Sequence, residues 1–232
     1  MENEINELRK LLREADELRV KKLILPDEKP ARLLGVNGTI YLLRILDRFR
    51  DLLIACISAY EHKRVLSLYI EVRAHFETTA SLMYFYGKLC EFYDNAIDLN
   101  QMEEATNRIS SGSKLKPDWN SELPVLDPVN VLTTIKHADR ILREAGSTVD
   151  MFAGSYNFIS ELAHPNHFGL IYKSEVSIEE GTITFLTDED AFQKHSKGAI
   201  YKLLISVNVF MQWYQHAFSL LKKNETMPLL VR

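Results

Sequence analysis

The feature that most constrains the fold is a set of long segments in which apolar residues recur at helical spacing. The clearest covers about residues 190 to 223, where apolar side chains recur roughly every 3.5 residues. A helix of this length with a continuous apolar stripe is expected to pack on several other helices. The stripe consists of Phe192, Ile200, Leu203, Val207, Phe210, Tyr214 and Leu221.

Six further segments predict helices, and turn-forming residues mark their ends. The first is amphipathic and ends at Pro26 and Pro30, and Asp127-Pro128 is a good helix start, with aspartate as the N-cap. Gly146 is expected to cap the helix that follows. The six segments cover about residues 2–22, 37–62, 64–87, 91–109, 127–146 and 148–163.

Residues 172 to 187 differ from the rest of the chain because apolar and polar residues alternate there. Val176, Ile178, Ile183 and Phe185 are arranged around Glu179-Glu180-Gly181, a pattern that predicts a β-hairpin. We therefore predict an all-α fold, a helical bundle of six to seven helices with one small β-hairpin insert.

The predicted organisation has three parts. Residues 1–36 form an N-terminal amphipathic helix and linker, residues 37–223 form the bundle with its hairpin at about 172–187, and residues 224–232 form a C-terminal tail. Residues 110–127 are rich in Ser, Gly, Lys, Asp and Pro, and we expect a long surface connection held by Trp119.

Composition and charge narrow the class of protein. Hydrophobic residues make up 46% and charged residues 26% of the 232 residues, with a formal net charge of −4. Any nucleic-acid contact must therefore come from a local basic patch. Cys56 and Cys90 fit buried free thiols in a reducing compartment. No apolar run approaches the ~20 residues of a membrane span, so we expect a cytoplasmic protein.

One candidate site begins with a charged pair inside the third predicted helix. Arg73 and Glu77 lie one turn apart on a stripe otherwise fit for burial, and this spacing allows them to contact each other. The face that carries His75 and Thr78 is expected to face solvent. The pair fits an ordinary ion pair at a half-exposed seam, or an arginine directed into a pocket and oriented by Glu77.

The second part of the candidate site is a polar cluster at the end of the sixth predicted helix, on both sides of Pro165. Tyr156 and Ser160 lie on the same helix as this cluster and can line one face. A histidine at a helix C-terminus is often only a cap, because the helix dipole favours its cation. The cluster consists of Glu161, His164, Asn166 and His167.

Three kinds of chemistry fit this cluster. Glu161-x-x-His164 matches the ligand unit of di-iron bundles, but those use two such units and the chain has one. A single metal could use His164, His167 and His75, although Pro165 spoils their spacing. In the third, His164 acts as a general acid–base while Arg73 stabilises a phosphate, which suits RNA cleavage without a metal. We expect no metal and no cofactor.

Two stretches resemble an uncharacterised bacterial helical-bundle family. Ile70-Glu-Val-Arg-Ala-His-Phe-Glu-Thr-Thr-Ala-Ser-Leu82 is similar to its Arg-x-x-x-Glu helix. Tyr156-Asn-Phe-Ile-Ser-Glu-Leu-Ala-His-Pro-Asn166 is similar to its second motif, Tyr-x-x-x-Ser-Glu-x-x-His-Pro. The likeness covers about residues 40 to 222.

That family is distantly similar to the HEPN superfamily, which includes metal-independent ribonucleases of defence and toxin–antitoxin systems. The resemblance implies a shared polar set of Arg73, Glu77, Ser160, Glu161 and His164. HEPN ribonucleases usually carry their arginine and histidine on one helix. Here no arginine precedes His164 in its own helix, so the arginine would come from the third helix.

Two hypotheses follow. In one, the polar set is a buried network that fixes the bundle of a non-catalytic structural or interaction module. In the other, Arg73 and His164 act on RNA or bind it, with Glu77 in support. RNA or a protein are the expected partners, and the exposed first helix and long last helix could form a homodimer.

Overall fold

The computed structural model describes residues 1–26, 32–113 and 126–232. The predicted all-α fold is confirmed. These residues contain eight helices, one more than the predicted maximum, because a short helix follows Pro165. The helices are α1 (Glu2–Glu17), α2 (Leu34–Glu61), α3 (Val65–Tyr93), α4 (Leu99–Ser111), α5 (Val131–Glu144), α6 (Met151–Ala163), α7 (His167–Ile171) and α8 (Asp188–Asn224). The predicted roles of Pro30 and Trp119 lie outside the described residues.

Helix α3 lies at the centre of the bundle. It packs against α2, α5, α6 and α8, so little of its surface is left for water. The prediction that His75 and Thr78 face solvent is therefore wrong, since both are buried. Leu66 and Ile70 belong to the stripe of Arg73 and Glu77 that was predicted to be fit for burial, and both are exposed.

The predicted break in the third helix at Gly87 is also wrong. Helix α3 continues through Gly87 to Tyr93. The glycine serves packing, because a Cβ there would lie 2.1 Å from His137 Nε2. The next helix starts later than predicted, at Leu99, where Asp98 and Gln101 form a capping box.

Two further helix starts differ from the predictions. Helix α2 begins at Leu34, so Gly38 lies inside it, where an added Cβ would lie 2.9 Å from Leu221 Cδ1. Helix α5 begins after Asn130, whose side chain accepts a hydrogen bond from Leu132 N. Gly146 follows the end of α5 with φ of +102°, as expected of a glycine that ends a helix.

The predicted hairpin is present as β2 (Ser174–Ser177) and β3 (Thr182–Phe185), antiparallel with Val176 opposite Ile183. A second two-stranded sheet was not predicted. In it, β1 (Lys22–Ile24) pairs antiparallel with β4 (Leu229–Val231). The pairing ties the chain after α1 to the segment after α8, and α1 itself packs on α2 and α8.

No helix in the described ranges combines the length and the apolar character needed to cross a membrane.

Candidate functional site

The site is formed where the C-terminal half of α6 crosses α3. The rings of Phe76 on α3 and Phe152 on α6 pack with centroids 5.2 Å apart, which fixes the two helices against each other. The start of α6 is held by buried Asp139, whose carboxylate accepts hydrogen bonds from Phe152 N at 2.7 Å and Ala153 N at 2.8 Å. Burial raises the pKa of Asp139.

Arg73 is the centre of a four-residue network, which we call the Arg73 network. Its Nε donates to Glu77 Oε1 at 3.1 Å, its Nη2 donates to Tyr156 Oη at 2.8 Å, and its Nη1 lies 2.7 Å from His164 Nε2. Tyr156 Oη in turn donates to Glu77 Oε1 at 3.1 Å. Two residues of α3 are thereby joined to Tyr156 in the middle of α6 and to His164, the C-cap of α6.

The chemistry of arginine sets the direction of its contact with the histidine. A guanidinium can only donate, so in the hydrogen bond between Arg73 Nη1 and His164 Nε2 the imidazole nitrogen accepts. The guanidinium carbon of Arg73 also lies 5.2 Å from the centroid of the Tyr156 ring, a cation–π contact. All three nitrogens of Arg73 therefore have partners within the chain.

The end of α6 is open to solvent. The helix ends at Ala163, and His164 takes an extended conformation before Pro165, as expected of a residue that precedes proline. The side chain of Arg73 is 23% exposed and that of Glu77 is 32% exposed, and His164 is an exposed residue. The network is thus a half-buried seam with an accessible histidine at its edge.

The other predicted site residues lie apart from this network. Asn166 Nδ2 donates to Glu161 Oε2 at 2.9 Å, and Asn166 Oδ1 accepts from Gly169 N at 3.0 Å to cap α7. Ser160 Oγ is buried and has no hydrogen-bond partner among the residues that the structure describes. The structure therefore brings together Arg73, Glu77, Tyr156 and His164, and it gives Glu161 and Asn166 a local role at the start of α7.

The metal-binding alternatives do not assemble. No group of three or more His, Cys, Asp or Glu side chains in residues 1–26, 32–113 and 126–232 is placed to hold a metal ion. His75 lies in the core, where its Nδ1 is 2.9 Å from Ser206 Oγ on α8, whereas His164 contacts Arg73. Burial lowers the pKa of His75 to about 3, so it is neutral at pH 7.

A cavity of about 320 Å³ lies beside Glu77 and was not predicted from the sequence. Arg44 and Arg48 of α2 line it, together with Arg108 of α4. The first two lie four residues apart, so their common helix face could be read from the sequence. The third arginine comes from α4. Its position beside the other two depends on tertiary packing, and the local sequence gives no indication of it.

Comparison with known proteins gives no relative. No protein-family model, curated protein or solved structure matches this chain.

Proposed function

We propose that this chain is a non-catalytic interaction module that associates with a second copy of itself through the apolar face of its hairpin. The observation that carries the proposal is the exposure of that face. Its four side chains are between 62% and 92% exposed, although all are apolar. They are Val176, Ile178, Ile183 and Phe185.

The register of the hairpin places these side chains together. Ser174 lies opposite Phe185 and Val176 opposite Ile183, and directly opposed residues point to the same face of a sheet. Ile178 lies in the turn directly after β2, two residues beyond Val176, and adds a further exposed apolar side chain at that end of the hairpin. Contiguous exposed apolar surface of this kind is typical of a protein–protein contact.

The surroundings of the hairpin favour a second copy as the partner. The basic groups next to it are already paired within the chain, since Lys194 Nζ lies 2.7 Å from Glu175 Oε1 and Lys173 pairs with Asp188. A two-fold contact brings identical surfaces together, so an apolar face with paired charges at its margin meets little like-charge repulsion.

The Arg73 network supports this role by holding the base of the hairpin segment. His164 is the C-cap residue of α6, and the chain continues from it through α7 into β2. Because Arg73 donates to Nε2 of His164, the histidine lone pair needed for general base chemistry is already occupied. The network therefore favours a structural role over a catalytic one.

The test is the mass of the protein in solution, measured by light scattering over a range of concentrations. We expect a dimer of the 26.8 kDa chain for the wild type and a monomer for Ile183→Lys, which places a charge in the apolar contact. Thr184→Lys is the matched control, because Thr184 lies opposite Glu175 on the other face. A monomeric wild type, or equal dimerisation of both variants, would contradict the proposal.

A second candidate function is that of a HEPN-like, metal-independent ribonuclease. It is favoured by one observation, the accessible His164 imidazole 2.7 Å from the Arg73 guanidinium, with the arginine supplied by α3. An incoming phosphate would take the guanidinium from Nε2 and free the histidine to act on the 2′-hydroxyl proton.

This candidate is tested with metal-free protein and a mixed RNA pool. If the chain is a ribonuclease, the wild type cleaves the RNA and His164→Ala does not, while the melting temperature of the variant stays close to that of the wild type. His62→Ala, at an exposed position outside the site, controls for the loss of a surface histidine. Absence of cleavage by the wild type excludes this function under the conditions used.

A further inference from the structure

We infer that the cavity beside Glu77 binds a small organic anion, with an oxyanion head group held by arginines and an apolar or aromatic body against the cavity wall. The cavity lies between α2, α3, α4 and the segment that leads into α5. Its volume of about 320 Å³ lies within the usual range for small-molecule sites. This site is separate from the hairpin face and from the proposed self-association.

The lining of the cavity carries an excess of positive charge. Three arginines line the cavity, and Glu77 is the one carboxylate among its described lining residues. Glu77 Oε1 is already used by Arg73 and Tyr156. The cavity is therefore locally cationic in a chain whose formal net charge is −4, and it favours an anionic ligand.

The three guanidinium groups differ in how many of their nitrogens already have partners. Arg44 has no hydrogen-bond or ion-pair partner in the part of the chain that the structure describes. Arg48 is oriented by its Nε, which donates to Thr78 Oγ1 at 3.1 Å, and its two terminal nitrogens have no hydrogen-bond or ion-pair partner among the described residues. Arg108 Nε donates to the Asp127 carbonyl oxygen at 3.1 Å, and Arg108 Nη1 also forms an ion pair with Glu104 Oε1 at 3.8 Å.

This arrangement suits an oxyanion. A guanidinium held through Nε presents its terminal N–H groups in a fixed fork, which matches the oxygens of a carboxylate or a phosphate. Arg44 and Arg48 lie one turn apart on α2, so both can reach the same head group.

The wall of the cavity indicates what the rest of the ligand is. Ile45, Ile109, Val129 and Val131 supply an apolar surface. The hydroxyl groups of Tyr41 and Ser81 also line the cavity, but they bond each other at 2.9 Å. A ligand body placed here meets mainly hydrocarbon, so an apolar or aromatic group is favoured over a sugar or a second charge.

The experiment measures binding of four probes by titration calorimetry: phenyl phosphate, benzoate, benzyl alcohol and inorganic phosphate. We expect phenyl phosphate, benzoate or both to bind, and to bind more tightly than inorganic phosphate and benzyl alcohol. Comparison of the first two identifies the head group. No binding of either aromatic anion, or equal binding of benzyl alcohol, would overturn the inference.

Variants locate the binding site. Arg44→Gln and Arg48→Gln should each weaken binding on the order of tenfold, because each removes a charge-assisted contact to the head group. Arg13→Gln, at an exposed position on α1 outside the cavity, should bind as the wild type does. Arg44 has no described partner to lose, so its substitution should leave the melting temperature unchanged. Unaltered affinity in both cavity variants would place the binding elsewhere and refute the site.

Discussion

At the scale of single residues, His75 shows how the same side chain type can take opposite roles in one protein. His164 lies at the surface and accepts from Arg73, whereas His75 is fully buried between α3 and α8. Ser206 Oγ bridges His75 Nδ1 and Thr79 Oγ1, each at 2.9 Å. His75 Nε2 has no hydrogen-bond partner in the described part of the chain, so there is no group to stabilise a second ring proton.

This arrangement predicts a loss of stability in acid. Burial lowers the pKa of His75 from 6.5 to about 3. Between these values the unfolded chain takes up a proton that the folded chain does not, so the free energy of unfolding falls as the pH falls. Linkage gives a loss of about 2 kcal/mol between pH 7 and pH 5 from this residue.

The measurement is urea unfolding at several pH values in this window. His75→Gln should show a shallower dependence of unfolding free energy on pH, whatever its stability at pH 7. The exposed His62, replaced by Gln, serves as the control and should keep the slope of the wild type. Burial also lowers the pKa of His137, to about 4, and that contribution remains in both variants. An unchanged slope in His75→Gln would contradict the assignment.

At the scale of the helices, a glycine can either end a helix or allow two helices to pack closely. Gly87 and Gly154 both lie inside helices, in α3 and α6. A Cβ at Gly87 would lie 2.1 Å from His137 Nε2 and 2.9 Å from Ile141 Cδ1, while a Cβ at Gly154 would meet nothing within 4 Å. Only the first glycine is required for two helices to approach.

The two positions therefore predict opposite effects of the same substitution. Gly154→Ala should raise the free energy of unfolding by up to about 1 kcal/mol, because alanine favours the helix. Gly87→Ala should lower it by about 1 to 3 kcal/mol, because the clash with α5 exceeds that gain. Chemical denaturation of both variants measures this difference. Stabilisation by Gly87→Ala would show that His137 can move aside at little cost.

The local sequence predicts the ends of the helices only in part. Pro165 ends α6, and Gly146 follows α5 with positive φ, both of which the sequence indicates directly. Gly38 and Gly87 carry the same signal but lie within helices. There, close contact with another helix decides the conformation.

The candidate site was also predictable only in part, because some of its contacts join residues that are distant in the chain. The spacing of Arg73 and Glu77 indicated their contact, and Tyr156 and His164 were recognised as polar residues on another helix. That these four residues meet, while Glu161 turns to Asn166, depends on how α6 crosses α3. A pairing across more than eighty residues leaves no trace in local spacing.

At the scale of the whole molecule, charge and apolar surface are unevenly distributed. The overall balance is slightly acidic, yet three arginines line one cavity. The hairpin also exposes an apolar face, although its alternating pattern is typical of a strand with one buried side. None of the described residues covers that side, which is why we propose association between copies.

The sequence by itself determined the class of fold, because apolar residues at helical spacing and alternating residues around a turn leave few alternatives for local structure. It also indicated the pair Arg73 and Glu77. Tertiary structure alone decided that α3 is surrounded by helices, that His75 is buried, that β1 pairs with β4 and that Arg108 joins Arg44 and Arg48. These outcomes arise from contacts between residues distant in the chain, whose free energies depend on packing and desolvation rather than on local spacing.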